Sequence, residues 1–382
     1  MEFLPRTLLY YMLSHGYLYS ALLRHTKKRR LVLAAFPFFV VMGLFPYIHG
    51  LLPDGSMAQK IFARTGAVWQ PLAFFCLLAV LGKDLSALGG RLGRGRSTRS
   101  GKPLSPAARR KLLLLLLVCA GLYAYGLHEA HDLKVRRLEL PLSAHAGAQR
   151  LRIVFAADLH IGPQTGISFL RRTVAAINAQ QPDIILLGGD ILDDALQGTS
   201  ADRDALRQLR ARLGVFAVLG NHDAFGGHER ALAFVESCGI RVLADELLPL
   251  GPLALLGIDD PDVRAQKGNT DVDVAALAAG RPCGSLLVLL THRPHLLPGS
   301  VGHFDLQLSG HTHGGQIGIV EPLLKRTCGT PTGLSRHTSE AGESLVYVTT
   351  GVGFSKLPIR LGAPPEIVVI DLAPAAADAA RP

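Results

Sequence analysis

Residues 151–160 read Leu-Arg-Ile-Val-Phe-Ala-Ala-Asp-Leu-His. The run from Leu151 to Ala156 is almost unbroken in its apolar character, the pattern of a strand buried on both faces. Asp158 and His160 follow at its end. Two residues apart on extended chain, their side chains would face the same side and could share one ion. Four later pieces repeat the theme: Gly189-Asp190-x-x-Asp193, Gly220-Asn221-His222-Asp223, Thr291-His292-Arg293-Pro294 and Gly310-His311-x-His313-Gly-Gly. They follow the apolar runs 184–187, 215–219, 286–290 and 305–308. Carboxylate, imidazole and amide oxygen are the ligand types that suit Mn, Fe or Zn. Placed at strand ends, they sit where open α/β sheets build their sites.

Each residue type suggests a task. A carboxylate has two oxygens and can bridge two ions, and Asp190 is the expected bridge. Gly188 and Gly189 allow a close backbone approach. Asn221 offers a neutral oxygen, which limits negative charge. His292, His311 and His313 offer imidazole nitrogens. His222, adjacent to Asn221, cannot easily point at the same ion and is left to handle protons. An unperturbed imidazole titrates at roughly 6.5, which suits that work near neutral pH. Taken singly, any of these histidines reads as an ordinary solvated side chain, as His295 does; the joint pattern is what carries weight. Arg336 and Arg360 could contact a phosphate, but a surface or structural role is the first reading of both.

Outward from these pieces, strand and helix alternate. Helical spacing covers 167–180, 202–213 and 229–237. Strands then dominate, at 253–258, 286–290, 305–308, 345–349 and 366–370. A βαβαβα start followed by a strand-rich half predicts an α/β fold of two packed sheets flanked by helices. The Ala- and Pro-rich tail, 373–382, is expected to be disordered.

The first 130 residues differ in kind. They hold 17 Lys and Arg against 4 Asp and Glu, whereas the rest holds 23 against 26. The net charge of +10 thus belongs to the N-terminal part, and no nucleic-acid footprint falls on the remainder. Hydrophobic residues make up 48% of the chain, too many for a purely soluble protein. Three transmembrane helices are expected, at 31–48, 66–81 and 112–127. Residues 8–23, interrupted by Ser14, His15 and four tyrosines, read as an interfacial amphipathic helix. The spans lack charged residues at their centres, so an anchor is favoured over a transporter. Basic residues at 24–30 and 83–111 place those loops in the cytoplasm and everything after about 128 outside it. The expected organisation is an anchor at 1–130, a linker at 131–150, a catalytic domain at 151–372 and the tail. The five cysteines show no metal or redox spacing and read as small hydrophobes. Nothing in the sequence sets an oligomeric state.

The five pieces resemble the signature of the calcineurin-like metallophosphoesterase superfamily: DxH, GDxxD, GNH(D/E), H and GHxH. The resemblance covers 151–372 with all five blocks intact. Residues 310–316 and 351–370, with Pro358-Ile359-Arg360 and Pro365-Glu366-Ile367, are similar to its membrane-associated bacterial branch, the YkuE/YaeI-type phosphodiesterases. Ala157 departs from the Ser often found there. The resemblance implies a four-layer α/β/β/α sandwich and two divalent ions, of Mn, Fe or Zn. It implies that Asp158, His160, Asp190 and His313 hold one ion, and Asp190, Asn221, His292 and His311 the other. His222 would protonate the leaving oxygen or stabilise the transition state, and Asp193 would orient His222. The expected activity is a membrane-anchored hydrolysis of a phosphodiester or pyrophosphate bond. The expected substrate is lipid-linked or part of the cell envelope, met on the outer face of the cell (inner) membrane. Two rivals stand beside it: a nucleotide-lipid pyrophosphatase facing the cytoplasm, and a non-catalytic membrane protein that binds metal.

Overall fold

The computed structural model describes residues 3–25, 29–44, scattered positions between 65 and 84, 106–142, 150–162, 165–193, 198–269, 271–318, 321, 328–355 and 358–374. The chain divides into two compact units, Met1–Leu127 and His128–Pro382.

In the first unit, helix α1 spans Phe3–His25, α2 Arg29–Ala34, α3 Phe36–Gly43 and α4 Pro106–Glu129. Residues 8–23 lie within α1, where Leu18 is buried in a cluster with Phe39 and Ala73. His15, also buried, has both ring nitrogens committed. Trp69 Nε1 donates to His15 Nε2 at 2.9 Å, so Nδ1 carries the proton and donates to the Tyr11 carbonyl at 2.8 Å. The expected span 31–48 is helical only as the short α2 and α3, separated at Ala35. Pro37 sits in the first turn of α3, where its missing N–H does no harm, but it cannot donate back into α2. Eight residues of α3 rise about 12 Å, against roughly 30 Å of hydrocarbon. The expected span 112–127 lies in α4, which carries Arg109, Arg110 and Lys111 near its start. Most of 66–81 lies outside the described residues. Among the described residues, no helix is long and apolar enough to cross a membrane.

The second unit is built on two six-stranded sheets. Its strands are β1 Lys134–Leu142, β2 Leu151–Ala156, β3 Ile184–Gly188, β4 Gly214–Val218, β5 Arg241–Val242, β6 Glu246–Leu250, β7 Leu253–Ile258, β8 Leu286–Thr291, β9 Leu306–Ser309, β10 Gly333–Ser339, β11 Gly342–Val348 and β12 Glu366–Pro374. The first sheet runs β1-β12-β2-β3-β4-β5 and the second β10-β11-β9-β8-β7-β6. β2 to β5 are mutually parallel, as are β7, β8, β9 and β11.

Side-chain alternation sorts the strands into layers. Ile153, Phe155, Ile184, Leu186, Phe216 and Val218 point inward and meet Leu253, Leu255, Val288, Leu290 and Leu308 of the second sheet. Their neighbours Val154, Ala156, Ile185, Leu187 and Ala217 point the other way. There they pack beneath helices α5 (Gly166–Asn178), α6 (Ser200–Leu206) and, beyond α7 (Asn221–Phe225), α8 (His228–Ser237). On the far face of the second sheet, Ala254, Leu256, Leu287 and Leu289 are covered by Val274 and Ala278 of α10 (Val274–Ala278), which follows α9 (Pro261–Gln266). The result is a helix–sheet–sheet–helix stack. The inner strands carry apolar side chains on both faces because both faces are covered.

Part of the expected linker, 131–150, is structured. β1 pairs in parallel with β12 from Lys134↔Glu366 to Leu142↔Pro374, so the sheet begins well before Leu151. Glu366 is a buried carboxylate at this seam. It accepts hydrogen bonds from Tyr347 Oη (3.0 Å), Thr349 Oγ1 (2.9 Å) and Arg136 Nε (3.1 Å), tying β1, β12 and β11 across the two sheets. β12 also runs two residues into the expected tail, whose remainder lies outside the described residues. The helix expected at 202–213 ends at Leu206. β5, β6 and β10 have no counterpart in the sequence reading.

Candidate metal centre

The five signature pieces converge at the C-terminal ends of β2, β3, β4, β8 and β9. They do so through turns rather than extended chain. Asp158 (φ 57°), His160 (φ 44°), Asp190 (φ 50°), His311 (φ 71°) and His313 (φ 51°) all have left-handed backbone. This corrects the expectation that Asp158 and His160 share a side because their strand continues; β2 ends at Ala156. L-residues avoid such dihedrals unless the surroundings impose them, and such outliers gather at functional sites. Here the imposition is visible. The Asp158 and His160 N–H groups donate to the Gly189 and Asp190 carbonyls, each at 3.0 Å, locking the first two turns together. The Gly310 N–H donates to the His292 carbonyl at 2.9 Å, joining the last two.

Two glycines make room. A Cβ on Gly189, whose φ is +86°, would lie 2.7 Å from His292 Nδ1. A Cβ on Gly351, at φ +73°, would lie 2.7 Å from Asp158 Oδ2. Gly189 thus admits a histidine ring, a nearer demand than the close approach to metal that the sequence reading assigned it.

Asp223, the last residue of Gly220-Asn221-His222-Asp223, has a clear structural task. Buried, it accepts backbone hydrogen bonds from Leu192 (2.9 Å), Gly220 (2.9 Å) and Ile191 (3.2 Å), joining the turn after β3 to the turn after β4. The signal was present as a carboxylate three residues after the glycine that precedes a helix. Burial, followed by the nearby Asp190 charge, raises its pKa to about 6 against the pull of those N–H groups.

Two clusters of ligand-type atoms face each other. In one, His160 Nε2 lies 3.1 Å from His313 Nε2, and His313 Nε2 lies 3.6 Å from Asp158 Oδ1. In the other, His292 Nε2 lies 3.1 Å from Asp190 Oδ2, 3.1 Å from Asn221 Oδ1 and 3.2 Å from His311 Nδ1. Asp190 Oδ2 also lies 3.7 Å from His160 Nε2, between the clusters. His292 Nδ1 donates to the Gly188 carbonyl at 2.8 Å, which orients the ring so that Nε2 faces the cluster. Two groups, Asp158–His160–His313 and Asp190–His292–His311, each bring their ligand atoms within 4.8 Å of one another. A third, His160–Asp193–His222, does the same. Asp193 Oδ1 lies 3.3 Å from His160 Nδ1 and 3.7 Å from His222 Nδ1, so its closer contact is to His160.

The electrostatics fit cations here. Burial raises the pKa of Asp158, with the Asp190 charge adding to it, whereas His292 and His160 pull the other way. Burial also opposes ionisation of Asp190, yet His292 and His160 hold it well below the carboxylate range. Burial alone would lower His160 and His292. The Asp193 hydrogen bond with the Asp190 charge lifts His160 to about 9, and Asp190 with Asp158 lifts His292 to about 10. Protons on these rings stand where positive charge is wanted. His311, by contrast, is lowered to about 3 by burial and the His292 charge. His313 is lowered by burial, by His160 and by Arg360. Asp190 Oδ2 and Asn221 Oδ1, which can only accept, both lie 3.1 Å from His292 Nε2. Asp158 Oδ2 is buried with no hydrogen-bond partner. A buried carboxylate oxygen in that condition costs free energy that a cation would recover.

Comparison with known proteins agrees. The sequence profile of the family "Calcineurin-like phosphoesterase" matches residues 151–315. A Danio rerio relative described as "Transmembrane protein with metallophosphoesterase domain" is 31% identical over 326 residues, covering 80% of this chain and 71% of its own. The chain belongs to the calcineurin-like metallophosphoesterases. The uncharacterized metallophosphoesterase YkuE of Bacillus subtilis is 30% identical over 271 residues, covering 67% and 91%. A metallophosphoesterase of Aquifex aeolicus is 28% identical over 259 residues, covering 67% and 98%. Membership makes the chain a metal-dependent phosphoester hydrolase.

Two arginines of this phosphoesterase stand behind the clusters. Arg360 is fully buried. It donates to the carbonyls of Thr350 (2.8 Å), Ala363 (2.9 Å), Gly351 (3.2 Å) and Gly353, and its Nη2 lies 3.2 Å from His313 Nδ1. That is the structural role first read for it, and burial lowers its pKa to about 10. Arg293, next to His292, is held by both oxygens of buried Asp260, at 2.8 and 3.1 Å. Arg336 pairs with the exposed Glu343 at 2.7 Å.

Proposed function

We propose that this phosphoesterase is a two-metal hydrolase of phosphodiester or pyrophosphate bonds. One observation carries the reading: Asp190 Oδ2 lies between the two clusters, 3.7 Å from His160 Nε2 and 3.1 Å from His292 Nε2. On this assignment Asp158, His160, His313 and Asp190 hold one ion, and Asp190, Asn221, His292 and His311 the other. Two divalent ions held there, of Mn, Fe or Zn, would supply Lewis acidity toward the phosphate and would offset charge on the transferring group. The chain's own residues do the rest. His222 protonates the leaving oxygen. Its backbone N–H donates to Asp190 Oδ1 at 2.8 Å, which fixes the acid relative to the bridge. Asp193 orients His160 and His222 together. An acid positioned for a poor leaving group favours diesters over activated monoesters.

The N-terminal unit, in this reading, is a membrane anchor at 1–130, and the catalytic domain lies on the outer face of the membrane, acting on a lipid-linked or envelope substrate. Support comes from the surface of that unit. Leu33, Phe36, Phe38 and Val41 are exposed on α2 and α3, as are Leu114 and Leu117 on α4. Outside residues 12–125, only Val135, Phe225 and Leu334 are large exposed hydrophobics among the described residues. Apolar exposure concentrated in one unit marks a surface covered by another phase or partner. A reporter fused to the C-terminus tests the orientation, and a cytoplasmic signal would overturn it.

The activity test is hydrolysis of bis-p-nitrophenyl phosphate by the full chain in detergent, with and without Mn²⁺, beside Asp190→Ala. Metal-dependent turnover lost in the variant supports the reading. Absence of turnover by metal-loaded wild type would sink the diesterase assignment.

A further inference from the structure

We propose that Phe225 is the specificity-determining residue of this centre, an apolar ring that receives a hydrophobic leaving group; this rests on the reading of His222 as the acid. The four preceding residues of α7, Asn221 to Ala224, are buried, whereas Phe225 is 50% exposed. Its ring centroid lies 5.4 Å from that of His222, at an interplanar angle of 58°. On another side, the His222 ring meets His160 edge-on at 4.6 Å. His222 therefore contacts both a ligand-cluster ring and an exposed phenyl.

The position is fixed rather than a loose loop tip. Gln266 of α9 donates to the Ala224 carbonyl at 2.6 Å, and the Gly227 N–H donates to the same carbonyl at 2.8 Å. Gly227 turns the chain away at φ 96°, leaving the ring at the end of the helix. The two other exposed large hydrophobics described in this unit, Val135 and Leu334, sit on the edge strands β1 and β10. Phe225 is thus the described apolar surface beside the acid. An oxygen protonated by His222 carries its substituent within reach of that ring, and an apolar substituent gains by covering it.

The leaving group could be aromatic or an alkyl chain, and the test separates the two. Binding of phenyl phosphate, hexyl phosphate and inorganic phosphate to the Mn²⁺-loaded full chain is measured by calorimetry, for wild type, Phe225→Ala and Phe225→Trp. Wild type is expected to bind the two esters about tenfold more tightly than inorganic phosphate, on the scale of one aromatic contact. Phe225→Ala loses that margin, and Phe225→Trp restores it. Inorganic phosphate, which lacks an apolar arm, binds all three proteins alike. Phenyl above hexyl phosphate points to an aromatic leaving group, and the reverse to an alkyl one. Equal loss for esters and inorganic phosphate, or no loss for the esters, overturns the proposal. A wild type that shows the ester margin yet hydrolyses no diester sinks the diesterase reading and keeps the apolar subsite.

Discussion

The backbone N–H of His222 donates to Asp190 Oδ1 at 2.8 Å, while Asp190 Oδ2 faces His292 and His160. One carboxylate therefore orients the proposed acid with one oxygen and spans the proposed ions with the other. The two residues are expected to fail differently. Asp190→Ala should abolish turnover and lower metal content, because both clusters lose a shared donor. His222→Ala should keep both ions and slow diester hydrolysis by on the order of 10²–10⁴, the usual worth of general acid catalysis. Elemental analysis beside steady-state kinetics checks this; metal loss in His222→Ala would remove it from the acid role.

Asp223 should matter for stability before it matters for chemistry. Asp223→Ala leaves three buried N–H groups, of Ile191, Leu192 and Gly220, without their acceptor. A destabilisation of about 3 kcal/mol is expected, within the range for losing a buried charged partner. Urea unfolding monitored by circular dichroism measures it, and a change below about 1 kcal/mol would show that the turns are held by other means.

Glu366 invites the same measurement at the seam between the two sheets. Glu366→Ala strands the Tyr347 and Thr349 hydroxyls and frees Arg136. Loss of about 2–4 kcal/mol is expected. Arg136→Ala should cost far less, because that side chain is 60% exposed and its charge is screened. Comparable losses in the two variants would contradict this division.

Metal loading should release protons. Without ions, His160 titrates at about 9 and His292 at about 10, both raised, so both are protonated at pH 7. A ligand nitrogen must be deprotonated. Loading therefore expels these protons, and apparent affinity should climb with pH until about 9–10 and then level off. Calorimetry in buffers of differing ionisation enthalpy counts the protons directly. A flat affinity between pH 6 and 8 would contradict the linkage.

Much of this molecule is legible in its sequence, for identifiable reasons. β2, β3 and β8 announce themselves because strands covered on both faces must be continuously apolar. The ligand-type residues are legible because few side chains can do their work, and the structure brings Asp158, His160, Asp190, Asn221, His292, His311 and His313 together. What escapes depends on distant partners. β1 and β10 are edge strands with mixed composition, and only the register with β12 or β11 makes them strands. The left-handed turns at Asp158 and His160 are invisible because nothing local asks for them; the carbonyls of Gly189 and Asp190 do. Asp193 points more closely at His160 than at His222, a preference that depends on side-chain geometry rather than spacing.

The strand made last lies between two made early. β12, ending at Pro374, separates β1 from β2 in the first sheet, although more than 200 residues part it from either. During synthesis the ribosome must deliver nearly the whole chain before β1 and the neighbouring side of β2 find a partner. Until then both present open hydrogen-bonding edges, the kind that recruit other chains. A premature stop after His313 but before Glu366 would therefore spare every proposed metal ligand and still leave a product prone to aggregate.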